Sequence, residues 1–186
     1  MGKPQPKKKK KGSEPSQLRW LIQVVTMAIT LSAALSLASE SMLEGAGVVI
    51  ALLILALFIL LGIVFDIIGV AVTAADPKPF HSMASRKVKG AKEALSLLRS
   101  ASRVSSVCND VVGDICGIVS GTTSAVIAAR IQGALNFRTV LISVGVTALV
   151  SGLTIGGKAL GKTFAMKRST KVVYWAGRFL SLFHRR

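Results

Sequence analysis

From Gly47 to Ala75 the chain carries a single charge, the carboxylate of Asp66. A helix needs only about 20 apolar residues to cross the hydrocarbon core of a bilayer. This stretch is long enough to do so, and it makes the chain an integral membrane protein. It also poses the functional question. Ionisable groups at membrane depth are expensive, and they usually face a bundle interior, a partner or a water-filled path.

The composition fits that class once it is sorted by position. The chain has 186 residues, 51% of them hydrophobic, and a net charge of +16. The apolar residues lie in long runs and the basic ones in blocks beside them. Such blocks read as cytoplasmic flanks of membrane helices. They lack the interleaving of basic and aromatic residues that suits single-stranded nucleic acid, so no nucleic-acid partner is expected.

Residues 1–17 are rich in Pro, Lys, Gly and Ser and read as a disordered basic arm. Its Lys7–Lys11 run would be drawn to anionic lipid headgroups and would hold the N-terminus in the cytoplasm. Pro6 stands where a myristoylation signal needs Ser or Thr. Residues 18–39 form an additional N-terminal transmembrane helix, with Arg19 and Trp20 at its start. Ser36-Leu37-Ala38 loosely imitates a signal cleavage site, but the apolar run is longer than a signal core, so an uncleaved helix is favoured. Gln23, Thr26, Thr30, Ser32 and Ser36 make it the most polar span, one that packs on other helices or lies peripherally.

The second span, Gly47 to Ala75, meets water at Asp76-Pro77-Lys78-Pro79, where two prolines oppose helix continuation. Phe80 to Leu98 has apolar residues at spacings of three and four, with Arg86, Lys87, Lys89 and Lys92 between them. That is a basic juxtamembrane helix lying in the interface or against the bundle base. The third span, Val104 to Ala129, carries Gly113, Gly117 and Gly121 on one face, where another helix can approach closely. Asn109 shares that face; Asp110 and Asp114 lie on an adjoining one. Thr139 to Leu160 is the fourth span. The tail Lys167–Arg186 is a C-terminal amphipathic helix with Val172, Trp175, Ala176, Phe179 and Phe183 on one side. The expected fold is therefore all-α: four transmembrane helices, a basic juxtamembrane helix and a C-terminal amphipathic helix. The arm, the 76–103 segment and the tail are rich in Lys and Arg, and the 40–45 loop has none. The 130–138 loop has two Arg, a modest departure. This asymmetry puts both termini in the cytoplasm, in a multi-pass protein of the plasma membrane.

Little suggests catalysis. Cys108 and Cys116 are two helical turns apart, too far for an intrahelical disulfide, and their spacing is no metal motif. They read as small buried side chains. His81 and His184 lie at membrane edges in basic segments. The chain has no nucleophile–base set and no phosphate loop, so an enzyme is not expected.

From Val64 to Phe183 the order of parts resembles the transmembrane domain of the CorC/cyclin M family of magnesium transporters, so residues 46–186 are expected to form such a domain. The family's FFSASE falls on Val64-Phe65-Asp66-Ile67-Ile68-Gly69. Its RRAKLALKLL is similar to Lys89-Gly90-Ala91-Lys92-Glu93-Ala94-Leu95-Ser96-Leu97-Leu98. Its GNTLVNI looks like Cys108-Asn109-Asp110-Val111-Val112-Gly113-Asp114-Ile115, one residue longer here. Its GEIIPKTL resembles Gly157-Lys158-Ala159-Leu160-Gly161-Lys162-Thr163-Phe164. The resemblance implies a homodimer and a site for magnesium between transmembrane helices. Several positions depart from the family's pattern. Asp66 replaces the first cation-site serine, Ile68 the second, Gly69 the Glu that follows, and Lys158 the Glu of the last motif. Asn109 is retained. The family's CBS domains have no counterpart in the sequence.

Magnesium prefers hard oxygen ligands and keeps several waters. Asp66, Asn109, Asp114 and the hydroxyl of Ser106 could supply them, with Asp114 the deeper partner for Asp66. The competing arrangement is a structural ion pair between Asp66 and Lys158. Two functions therefore stand open. One is a membrane protein related to divalent-cation transporters that conducts or binds Mg2+. The other is a non-transporting membrane interaction or scaffold protein that kept the fold and lost the site.

Overall fold

In a computed structural model, residues 14–135 and 140–183 are described. The expectations for Lys7–Lys11, Arg138 and His184 to Arg186 fall outside the described residues. Among the described residues the regular structure is helical and includes no strand. Four helices are long and apolar enough to cross a membrane: Leu18–Leu43, Val48–Ala74, Ala101–Ala134 and Val140–Lys167.

The first, α1 (Glu14–Leu43), begins inside the segment expected to be disordered. Pro15 sits in its first turn, where a missing N–H leaves no helical bond unmade. α1 lies at the periphery, with no residue of its most apolar stretch fully buried. Its hydroxyls need no neighbour to do so: Thr26 donates to the carbonyl of Ile22 and Thr30 to that of Thr26. Val24, Ala28, Leu31 and Leu35 pack one side of it against the core, and near its far end it is held by buried Ser39 against Thr123 and by Leu43.

α2 (Val48–Ala74) is the central helix and touches every other span. It is apolar all round, as a membrane helix with neighbours on several sides must be. Its N-terminal half packs Ile54, Leu55 and Phe58 against Val111, Ile115, Val119 and Ile127. Its C-terminal half packs Ala71 and Val72 against Phe80, Leu95, Ala165 and Val173.

After α2 the chain makes α3 (Lys78–Ser85) and α4 (Ala91–Arg99), not the single juxtamembrane helix expected from Phe80 to Leu98. The break is at Lys87 and Gly90, both with positive φ, 57° and 86°. Glycine takes that conformation freely and so interrupts the amphipathic pattern. α5 (Ala101–Ser106), a π-helical segment (Val107–Gly113) and α6 (Asp114–Leu135) then run without a break as the third span. α7 (Val140–Lys167) is the fourth, and α8 (Ser169–Phe183) folds back under the bundle onto α4.

The ends of the bundle differ. At one end lie α3, α4 and α8 with most of the cations. At the other, Arg130 of α6 reaches across to the turn between α1 and α2. Its guanidinium donates to the carbonyls of Leu43, at 2.6 Å, and Ala46. The carbonyl of Leu43 closes the end of α1, where it also accepts from the N–H of Ala46 at 3.1 Å, and that of Ala46 lies in the turn that follows. One of the two arginines that departed from the charge asymmetry is thus occupied as a structural clamp.

Candidate cation site

The site grows from a face of α2 that carries Gly62, Asp66 and Gly69, all three buried. Residues at this spacing stack along one side of a helix. The two glycines let the third span come close. A Cβ on Gly62 would lie 3.1 Å from the Cβ of Cys116, and one on Gly69 would collide with the side-chain amide of Asn109. The helices are antiparallel, so these two crossings set the register. Asp66, midway between the glycines, is level with the Val112–Gly113 end of the π-helical segment.

Asp66 is 4% exposed, and its Oδ2 accepts no hydrogen bond. Its one ionic partner among the described residues is Lys162, with Nζ 3.8 Å from Oδ2. Lys162 itself is half exposed, with 51% of its side chain accessible, and its long stem carries the ammonium from α7 toward the carboxylate. Charges taken out of water lose several kcal/mol each, on the order of what good hydrogen bonding must replace. A single contact of this length replaces little of it.

Asn109 is the second strained polar group. Its Nδ2 donates to the hydroxyl of Ser105 at 3.2 Å, while its Oδ1 is buried against Gly69 without a partner. Whichever way the amide is turned, one of its two polar atoms faces the bare backbone of α2. Asn109 lies in the π-helical segment, a geometry that recurs at functional sites because the wider turn displaces side chains from the regular helical positions.

The structure gathers only part of the expected set. Asp66 and Asn109 share one interface. Asp114 does not join them: it is exposed, as is Asp110, both lying off the face that meets α2. Ser106 is half-buried, and the hydroxyl engaged with Asn109 is that of Ser105, one full turn away and so on the same side. The ion-pair partner expected for Asp66 also changes. Lys158 donates to the carbonyl of Gly113, at 3.4 Å, and the pair with Asp66 is made by Lys162, one turn nearer the water. Lys158 and Lys162 share a face of α7, so the sequence signal for the second was its position four residues after the first.

The glycine stripe of the third span behaves differently from expectation within the chain. Gly113 packs near the amine of Lys158, but nothing lies within 4 Å of a Cβ on Gly117 or Gly121. Close helix approach falls instead to Gly62 and Gly69 of α2, and to Gly157 and Gly161 of α7, which meet Ile63 and Ile67.

Among the described residues no three His, Cys, Asp or Glu side chains converge on one point. What the interface offers a cation is oxygen: the Asp66 carboxylate and the Asn109 amide, while the carbonyl of Gly113 lies toward Gly62 and accepts from Lys158. Comparison with family models, with curated proteins and with solved structures finds no match to this chain.

Proposed function

We propose that this chain is a multi-pass plasma-membrane protein, with both termini cytoplasmic, that binds and conducts a small divalent cation between α2 and the π-helical segment. Magnesium is the cation we favour. One observation carries the reading: Asp66 Oδ2 and Asn109 Oδ1 are buried in the same helix–helix interface and neither accepts a hydrogen bond. Unsatisfied buried oxygens are few in folded proteins, and an unseen ion is one of the standard reasons for them. Two protein oxygens suit an ion that keeps several of its waters.

Lys162 holds positive charge beside Asp66, and Lys158 holds it at the neighbouring carbonyl of Gly113, so a divalent cation has to compete with them. Lys162 is the one able to leave, because it is half in solvent already. Its withdrawal would free the Asp66 carboxylate for the cation. The proposed relation to the CorC/cyclin M family offers a reading of the π-helical segment. The motif at Cys108–Ile115 is one residue longer than the family's, and it overlaps the π-helical segment. A wider turn is how a helix absorbs one extra residue without rotating everything after it. We place the homodimer contact on the open face of Gly117 and Gly121.

A second reading is favoured by those same lysines: Lys162 stays on Asp66, and the protein is a membrane scaffold that transports nothing. Thermal unfolding of the purified protein with and without millimolar magnesium separates the two. In the transport reading magnesium stabilises the wild type, Asp66→Asn abolishes the effect, and Lys162→Met enlarges it. A wild type indifferent to magnesium, together with a Lys162→Met variant that magnesium does not rescue, would leave the scaffold.

A further inference from the structure

The C-terminal helix α8 does not turn all of its apolar residues inward. Val173 is fully buried, but Trp175, Phe179 and Leu182 remain 65%, 62% and 69% exposed. Their spacing of four and three makes one stripe. An amphipathic helix at the end of a membrane bundle lies in the interface with such a stripe in the acyl boundary. Beside the stripe is a groove of about 470 Å³ between α8 and the α3–α4 turn. Lys87, Lys89, Lys92 and Arg178 line it, against one carboxylate, Glu93.

The groove has a fixed shape. A Cβ on Gly90 would lie 2.6 Å from the Cα of Arg178, so the turn is pressed backbone to backbone against α8. The turn is also closed on itself, with Val88 N–H on the carbonyl of Met83 at 3.0 Å and Ala91 N–H on that of Val88 at 3.2 Å. Arg178 is steadied by the ring of Trp175, whose centroid lies 5.8 Å from the guanidinium carbon. Into this groove points the amino end of α4, where Gly90 supplies no capping side chain. The first N–H groups of a helix lack acceptors within it and favour an anion.

We propose that this groove binds the phosphate of an anionic phospholipid from the leaflet in which α8 lies. Four cations against one carboxylate select a negative ligand, and the N–H groups of Lys92 and Glu93 in the first turn of α4 add donors. The exposed stripe beside the groove selects the lipid over a soluble phosphate, because it places the opening at headgroup level with acyl chains alongside. This assignment requires only that α8 lies on the membrane, and it stands or falls apart from the cation reading.

The test is lipid retention by the full-length protein, reconstituted in nanodiscs of phosphatidylcholine with phosphatidylglycerol and read by native mass spectrometry. The Lys89→Gln/Arg178→Gln variant removes two groove cations. Lys171→Gln/Arg99→Gln removes two exposed cations of the same two helices outside the groove. We expect the groove variant to lose about tenfold more phosphatidylglycerol selectivity than the control: both lose the surface attraction of two cations, and only the groove variant also loses charge-assisted contacts to the phosphate, each worth about tenfold or more. Equal losses would mean spread-out surface charge and overturn the site. Lys89→Gln alone, at an exposed side chain, repeats the comparison if the double variant is unstable. Dioctanoyl phosphatidylglycerol should displace retained lipid at concentrations where glycerol phosphate does not. Equal displacement by the two would overturn the lipid assignment in favour of a soluble phosphate.

Discussion

Asn109 lies so close against the backbone of Gly69 that no side chain fits between the third span and α2 at that point. Gly69→Ala should therefore force the amide aside, with a loss of about 1–3 kcal/mol typical of overpacking. The same alanine in an Asn109→Ala background should cost far less, because the obstacle is gone. A thermal double-mutant cycle measures the coupling. Equal losses in both backgrounds would mean that Gly69 is required for some reason other than Asn109.

Arg130 joins the far ends of three helices through the carbonyls of Leu43 and Ala46. Hydrogen bonds from a charged donor contribute about 1.5–3 kcal/mol each at most. Arg130→Gln should lower the melting temperature and speed hydrogen exchange in residues 43–47 while leaving α8 unchanged. Arg130→Lys should recover only part of this, since an ammonium lacks the planar fork that reaches two carbonyls at once. An unaltered exchange rate at Ala46 would remove the clamp from the account.

The four spans were legible because they rest on run length and apolar character, which are properties of the sequence itself. The break at Lys87–Gly90 was not read, although Gly90 stands in the middle of an amphipathic pattern. Its cause is tertiary: the turn must meet the backbone of α8 at Gly177 and Arg178. At the candidate site, Asp66 and Asn109 were legible as polar residues stranded in apolar spans. The exclusion of Asp114 was harder to read, because it depends on which face of the third span meets α2. The exchange of Lys158 for Lys162 depends on how far a flexible side chain reaches, which spacing alone does not fix.

A Cβ added at Gly117 or Gly121 would meet nothing within 4 Å from another helix, so the chain does not need them small for its own folding. If they face a second copy, Gly117→Leu should leave the helical content and monomer stability unchanged and weaken self-association. Mass determination by light scattering in detergent, across a dilution series, reads this directly. An unchanged oligomeric state would assign that face to lipid.

Gly177 and Gly90 form a second close crossing, between α8 and α4. A Cβ on Gly177 would lie 2.5 Å from the carbonyl oxygen of Gly90 and 2.8 Å from the amide nitrogen of Ala94. Both are backbone atoms and cannot swing away as a side-chain tip can. Gly177→Ala should lift α8 from α4. Hydrogen exchange should then rise across Ser169–Phe183 and leave α2 protected. Protection of α8 equal to the wild type would show that the two helices can part without cost.

The pair of Asp66 and Lys162 is asymmetric, and that asymmetry is testable without any cation. The carboxylate is buried and the ammonium is half in solvent. Asp66→Asn leaves a lysine that can turn to water, so its effect on stability should be small. Lys162→Met leaves a buried carboxylate with no ionic partner. Breaking a fully buried pair from one side costs about 3–5 kcal/mol. Here the solvent on the lysine side reduces the expected loss to roughly 2 kcal/mol. The double variant Asp66→Asn/Lys162→Met should regain most of it, because the stranded charge is gone. Lys158→Met should have the smaller effect of the two lysine changes, as its contact is to the backbone carbonyl of Gly113. If Lys158→Met proves the more damaging and Asp66→Asn rescues it, the carboxylate is held by Lys158, and the arrangement around Asp66 described above is wrong.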